Sequence, residues 1–365
     1  MRLTIPLTDH REIEEIEKSL ASGFLTQGPQ VAAFEERVAA LIGARFAIAT
    51  SSCTTALHIS LVALGIQSGD EVLLADFTFP ATGNVVAQQG ARPVLVDIEP
   101  DGFAIQLEDL ARKITPRSKA IIPVHPFGCA ADMDPLLDLA AQHGIPVVED
   151  AATALGTTYY GRYCGNLGTL GCFSFHPRKV ITTGEGGMVT TNDAALAERI
   201  QMLRNHGGVR VSNRYEFHAG GYNYRMSDLQ GAMGVAQMEK LSAIIEKRRF
   251  LAQQLTKRLK EMAWISTPSE PAWGGHIYQS YVARVDDGID RDALVERMAE
   301  RGIETTIGTY ALHDQPFFQT QYGYQSGELP NSHRAFLQTI TLPLYPQMGE
   351  EDLDALADAL KHCGP

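Results

Sequence analysis

The chain is poor in long apolar runs: none approaches the ~18 residues that mark a membrane-spanning helix. Its opening, Met1-Arg-Leu-Thr-Ile-Pro-Leu-Thr-Asp-His10, turns charged before a secretory core could form. Cysteine is scarce and scattered. Cys53, Cys129, Cys164, Cys172 and Cys363 are odd in number and include no CxxC pair, which argues against a disulfide framework. These absences together predict a cytoplasmic protein with reduced thiols. Positive charge is also in deficit, with 31 Lys+Arg against 43 Asp+Glu and a net charge of −12. No nucleic acid and no membrane is therefore expected as a partner, although a small anion needs only a local cluster of donors. There is no internal repeat, no low-complexity linker and no His/Cys/Asp set at metal-ligand spacing, so no metal is expected.

Hydrophobic residues make up 44% of the 365 and charged residues 20%, a globular balance in a chain long enough for two domains. Two amphipathic helical stripes come first: Ile13, Ile16 and Leu20, then Val31, Phe34, Val38 and Leu41, separated by the turn signal Gly23–Pro29. From Phe46 the pattern changes to short apolar runs alternating with helices. Strands are expected at Phe46–Thr50, Glu71–Ala75, Pro93–Asp97, Ala120–Val124, Pro146–Glu149, Gly171–Phe175 and Gly187–Thr190. Helices Thr54–Leu64 and Asp134–His143 lie between them, and Ala194–Asn205 follows. The pattern is that of an α/β fold with a large, doubly wound, mostly parallel sheet of seven strands. A basic, aromatic loop spans Arg210–His218, and a long helical stretch from Ser227 to Met262 is expected to break near its middle. A strand at Tyr281–Val285 and helices at Arg291–Arg301 and Glu351–His362 then form a smaller α+β domain. The expected division is 1–245 and 246–365.

Ligands of open α/β sheets gather where strands end, and three of these strands end in usable chemistry. Phe46–Thr50 runs into Ser51-Ser52-Cys53-Thr54-Thr55 at a helix start, where amides and hydroxyls can face an anion. Ser and Thr are also ordinary helix caps, so this turn alone leaves both readings open. Pro146–Glu149 leads to Asp150. Gly171–Phe175 leads to His176-Pro-Arg-Lys179 and then to Gly184-Glu-Gly-Gly187, which lacks the ending of a P-loop and the spacing of a dinucleotide turn. A desolvated lysine can form a Schiff base with an aldehyde, and a neighbouring carboxylate can keep a pyridine nitrogen protonated. Asp150 and Lys179 could also be a structural ion pair. Their order on one sheet with the anion turn favours the chemical reading.

Longer segments narrow the choice. They include Thr26-Gln-Gly-Pro29, Thr78-Phe-Pro-Ala-Thr82 with Asn84, Pro123-Val-His125 with Gly128, and Glu149-Asp-Ala-Ala152. Ser174-Phe-His-Pro-Arg-Lys179, Thr182-Thr-Gly-Glu-Gly-Gly187, Arg204-Asn-His-Gly207 and Gly221-Tyr-Asn-Tyr-Arg-Met226 complete the set. With these segments the chain resembles, over nearly its whole length, the DegT/StrS family of pyridoxal-phosphate-dependent sugar aminotransferases. That family belongs to the fold-type I (aspartate aminotransferase) superfamily.

The resemblance implies pyridoxal 5′-phosphate as cofactor, with the pyridoxamine form as intermediate, and a ping-pong aldimine/ketimine cycle. The amino donor would be glutamate and the acceptor a nucleotide-linked keto-sugar. Lys179 would be the Schiff-base lysine and proton shuttle, Asp150 the partner of the pyridinium nitrogen, and Phe79 the ring-stacking aromatic. Ser52, Cys53, Thr54 and Ser174 would hold the phosphate. Asn223 would reach it from a neighbouring subunit, which implies a homodimer with shared active sites. Thr26, His176, Glu185, Arg225 and Tyr310 are candidates for the substrate side. Two departures stand out. Cys53 replaces a common Gly, which matters if the turn needs positive φ. Thr153 replaces a Gln that reaches the cofactor's phenolic oxygen, where a hydroxyl could donate instead over a shorter reach or a water could intervene. Two alternatives are a sugar dehydratase using the pyridoxamine form, in which resembling enzymes replace the lysine with His, and a non-catalytic regulatory paralogue.

Overall fold

The computed structural model describes residues 1–365. Two helices open the chain, α1 (His10–Ser22) and α2 (Pro29–Ile42). Each ends on a glycine in the left-handed conformation, Gly23 and Gly43, the usual device for stopping a helix. The strands and helices that follow alternate: β1 (Phe46–Thr50), α3 (Cys53–Leu64), β2 (Glu71–Ala75), the two-residue β3 (Phe77–Thr78), α4 (Ala81–Gln88) and β4 (Arg92–Val96). Next come α5 (Leu107–Lys113), β5 (Ser118–Ile122), α6 (Met133–His143) and β6 (Val148–Asp150). A small hairpin of β7 (Thr158–Tyr159) and β8 (Arg162–Tyr163) precedes β9 (Leu170–Ser174), β10 (Gly187–Thr191) and α7 (Ala194–Arg204).

The runs β4-β2-β5 and β6-β9-β10-β1 join through the parallel bridges Ile121–Val147 and Val124–Asp150 into one sheet of seven strands. All pairings are parallel except those of β10, which is antiparallel to both β9 and β1. Alternate residues of single strands enter different cores. Leu73 and Ala75 pack with α2 and α6, whereas Val72 and Leu74 pack with α3 and α7. Burial on both faces is why these strands read as unbroken apolar runs.

The first stripe of the sequence is turned partly outward. Ile13 and Leu20 are 60% and 56% exposed and Ile16 is half-buried, while the neighbouring Glu12 and Ser19, about a quarter-turn round the helix, are buried. Polar contacts with the long helix α8 (Asp228–Leu259) decide this. Glu12 contacts the Lys240 ammonium and accepts from Gln237, and the Ser19 hydroxyl donates to Asp228 at 3.2 Å. α8 is also unbroken over its 32 residues, with no interruption near the middle. No proline falls within it, and Gly231 and Gly234 serve close packing, since a Cβ at either would collide with α2. The basic, aromatic segment after α7 is no loop. It is a hairpin of β11 (Gly208–Val211) and β12 (Arg214–Phe217) in continuous antiparallel register.

A third core runs from Leu251 to Cys363. It holds the end of α8, α9 (Arg291–Glu300) and α12 (Glu350–Cys363) around a four-stranded sheet, whereas α10 (Pro316–Tyr322) packs through Phe318 into the core of α3 and α4, and α11 (Pro330–Gln338) places Ala335 with Phe77 and Val282. The strands after α8 are β13 (Ile265–Ser266), β14 (Gly274–Gly275), β15 (Tyr281–Val285), β16 (Thr306–Ile307), β17 (Tyr310–Ala311) and β18 (Thr339–Leu342). The sheet order is β13-β15-β18-β16, while β14 pairs with β7 and β17 with β3. No helix is long and apolar enough to cross a membrane.

Arg248 of α8 ties that helix to the loops of this last core. Fully buried, it donates to the carbonyl oxygens of Tyr278, Gln279 and Leu344 at 3.0–3.1 Å, and burial draws its pKa down to about 10. Arg248→Met strips these carbonyls of their donor and should lower the unfolding free energy by about 3 kcal/mol or more. Urea unfolding followed by circular dichroism measures it, and an unchanged midpoint would refute the anchoring role.

Candidate active site

The carboxyl ends of β1, β6 and β9 converge on one cleft. Past β1, Ser52 adopts an extended conformation and caps α3. Its Oγ accepts from the Thr55 amide at 3.1 Å, and Thr55 Oγ1 accepts from the Ser52 amide at 3.0 Å. The capping reading of Ser52 is therefore correct. The cap leaves the amides of Cys53 and Thr54, and the Thr54 hydroxyl, without an acceptor in the chain, so the helix start still faces the cleft with free donors. Cys53 is not among the residues with positive φ, so the turn needs no glycine there. The glycine that it does need lies elsewhere. A Cβ on Gly187 would come within 2.2 Å of the Ser52 carbonyl oxygen.

Asp150 ends β6 with its carboxylate buried and held at both oxygens. Oδ2 accepts from the Thr82 hydroxyl at 2.6 Å and Oδ1 from the Ala152 amide at 3.1 Å. The preceding Glu149 is spent on the fold, accepting from the amides of Gly165, Leu167 and Gly168 and facing His125 at 2.8 Å. Lys179 follows β9 through a tight turn in which its amide donates to the His176 carbonyl at 2.8 Å. Its amine lines the cleft near Cys53 and Asp150. Desolvation pushes the amine pKa below the ordinary lysine value, against the opposing pull of Cys53 and Asp150. Burial likewise pushes the Cys53 thiol well above its usual value, which makes it an inert thiol rather than a reactive one.

Around this centre the rim is aromatic and polar. Phe79 is 65% exposed, and Tyr310 approaches it edge-on with ring centroids 6.4 Å apart. Tyr310 arrives there because β17 pairs with β3, Tyr310 opposite Thr78. Ser174, half-buried, ends β9. His176 Nε2 and the Glu185 carboxylate stand 4.0 Å apart at the cleft edge. Arg225 is turned inward to Asn205, while Asn223 and Thr26 are exposed and engaged through their backbones, Asn223 with Asn205 and Thr26 with Ser227. Thr153 does not fit the expectation placed on it. Its hydroxyl donates to the His125 carbonyl at 2.7 Å, so that proton is unavailable to a cofactor oxygen. Two residues had no role assigned from sequence. Thr82 acts across 68 positions, and Gly187 acts through space it leaves empty.

An anion turn, a buried carboxylate and a desolvated lysine on one rim are the groups that pyridoxal phosphate requires for its phosphate, ring nitrogen and aldehyde. The family model described as the DegT/DnrJ/EryC1/StrS aminotransferase family matches residues 6–361. The chain belongs to this family. It is 38% identical to the spore coat polysaccharide biosynthesis protein SpsC of Bacillus subtilis, over 98% of this chain and 95% of SpsC. Among solved structures, Spr1654 from Streptococcus pneumoniae, determined in PLP and PMP forms, superposes with a TM-score of 0.95 at 26% identity, covering all of this chain and 97–98% of Spr1654. Helicobacter pylori PseC, an aminotransferase of pseudoaminic acid biosynthesis, gives a TM-score of 0.93 at 25% identity, covering 99% and 98%. The protein is a pyridoxal-phosphate-dependent enzyme of the sugar aminotransferase family with the fold-type I architecture.

Within this family member, Gly187→Ala should drive the 51–53 turn outward and weaken pyridoxal phosphate retention about tenfold or more. Absorbance titration of the apoenzyme checks this, and wild-type affinity would show that the turn yields without consequence.

Proposed function

We propose that the enzyme moves an amino group from an amino acid, glutamate by family resemblance, to a nucleotide-linked keto-sugar in two half-reactions at this cleft. The observation that carries the proposal is the desolvated Lys179 amine beside Asp150 and the donor-rich 52–54 turn. The sugar acceptor is supported by the relatives: SpsC is a spore coat polysaccharide biosynthesis protein and PseC acts in pseudoaminic acid biosynthesis.

Bound here, pyridoxal phosphate supplies an electrophilic carbon and an electron-withdrawing ring. The chain's own residues do the rest. The Cys53 and Thr54 amides, the Thr54 and Ser174 hydroxyls and the positive end of α3 bind the phosphate. Asp150 would hold the proton on the ring nitrogen, and the exposed Phe79 side chain would be the group available to cover the ring. Lys179 Nζ takes the proton from the substrate carbon and returns it, a task suited to an amine whose pKa lies below that of free lysine. Thr26, His176, Glu185, Arg225 and Tyr310 line or frame the opening where the substrate enters. Residues 1–245 act as the cofactor-binding unit and 246–365 as the smaller unit that delivers Tyr310. The five free cysteines suit a cytoplasmic setting.

The active unit in this proposal is a homodimer. Ile13, Leu20, Phe24 and Leu25 form an exposed apolar ridge, and Val209, Val211, Tyr215 and Phe217 leave the β11–β12 hairpin exposed as well. Asn223 is exposed in the segment between the hairpin and α8, and in this proposal it reaches the phosphate bound by the partner.

Lys179→Ala should abolish turnover while some cofactor binding persists; retention of the wild-type rate would sink the assignment. Capture of pyridoxal phosphate by the apoenzyme needs the neutral amine. Its rate should therefore climb with pH and level off below pH 10.5, where free lysine would level off. Stopped-flow absorbance measures that profile. Loading the enzyme with cofactor and glutamate, then screening keto-sugars for return of the pyridoxal phosphate spectrum, identifies the acceptor. Mixing Lys179→Ala and Asn223→Ala chains rebuilds one intact site per hybrid dimer, so activity should exceed the sum of the separate variants.

A further inference from the structure

We propose that Thr82 is a positioning residue that holds and aims the Asp150 carboxylate, and that Thr78 fixes the direction of its hydrogen bond. The inference rests on the role given to Asp150 above and adds what makes that role possible.

Thr82 lies in the first turn of α4 and is wholly buried. Its hydroxyl is 2.6 Å from Asp150 Oδ2, and its oxygen is 3.1 Å from the Thr78 hydroxyl. A threonine has one proton to give. An ionised carboxylate can only accept, so Thr82 donates to Asp150 and Thr78 must donate to Thr82. The result is a directed chain, Thr78 to Thr82 to Asp150. Its outer end is set by the backbone, because Thr78 sits in β3 opposite Tyr310 of β17. A donor aimed at a carboxylate favours the charged form.

The remaining neighbours of Asp150 cannot replace it. The Ala152 amide serves the other oxygen at 3.1 Å. The Cys53 and Cys172 thiols are driven upward by burial, and the charge of Asp150 adds to that rise. Lys179 is needed for proton transfer. Without the Thr82 hydroxyl, Oδ2 has no donor from the chain. The carboxylate would then meet the ring nitrogen with one oxygen unsupported, and its hold on the ring would weaken.

The test uses the holoenzyme with Thr82→Val, Thr82→Ser and Asp150→Ala. Single-turnover reaction with glutamate, pH titration of the cofactor absorbance, the rate of cofactor loss and thermal unfolding of the apoenzyme are measured for each. Thr82→Val should slow the single turnover about tenfold at unchanged glutamate affinity, shift the absorbance titration and speed cofactor loss, with the apoenzyme melting as wild type. Thr82→Ser should restore all three. Wild-type rate and titration in Thr82→Val, with Asp150→Ala inactive, would overturn the inference alone. So would a Thr82→Ser that is as slow as Thr82→Val. Full activity in Asp150→Ala would overturn the reading of Asp150 and this inference with it.

Discussion

The cleft depends on one register. Gly187 pairs with Thr50 on one side and with Ser174 on the other, so a single residue aligns the strand leading to the 52–54 turn with the strand leading to Lys179. Only an antiparallel strand begins where its neighbours end, and β10 is the one antiparallel member of the sheet. Its glycine-rich entry therefore lies at the carboxyl rim rather than at the far edge. The missing side chain at 187 lets the Ser52 carbonyl come in close, and the start of α3 is brought to the sheet without a gap.

The surroundings of that register are organised by buried polar groups as much as by apolar packing. Asp228 receives the Val31 amide at 3.0 Å and the Ser19 hydroxyl, so one carboxylate at the start of α8 caps α2 and ties down α1. Lys240 then meets Glu12 one stretch further along. Apolar surfaces slide over one another with little penalty, whereas a buried charge tolerates few alternatives. These contacts choose which side of α1 faces inward, and the aliphatic side is left for another surface.

The sheet was legible in the sequence because strands covered on both faces announce themselves. Phe46–Thr50 and Glu71–Ala75 are found at the expected residues, Pro93–Asp97 is displaced by one, and Ala120–Val124 by two. The rotation of α1 was not legible. A stripe of Ile13, Ile16 and Leu20 has the same spacing whether it faces a core or a ridge, and the deciding contact, Glu12 with Lys240, spans most of the chain. The hairpin at 208–217 hid behind its charges, since its alternation Val-Arg-Val and Arg-Tyr-Glu-Phe is that of a ribbon open on both sides. In the site, Asp150, Lys179 and the 52–54 turn were visible as strand-end chemistry. Thr82 and Gly187 were not, because one acts by a contact distant in sequence and the other by the absence of an atom. The bond from the Thr153 hydroxyl to the His125 carbonyl was not legible either, because which carbonyl takes a hydroxyl's proton is settled by the path of the neighbouring strand.

The unbroken α8 has a mechanical consequence. At 1.5 Å per residue its 32 residues make a rod about 48 Å long. Its first turns are gripped by α1 and α2, and its later turns belong to the core that contains α12. A beam clamped at both ends has no joint in its middle, and bending it there would break backbone hydrogen bonds. Movement of Tyr310 toward or away from Phe79 must therefore be absorbed by the short connections around β16 and β17, where the lever arm is only a few residues. The stroke available at the aromatic rim is correspondingly small, so the mouth of the cleft behaves as a fixed aperture that a substrate must fit rather than as a jaw that closes on it.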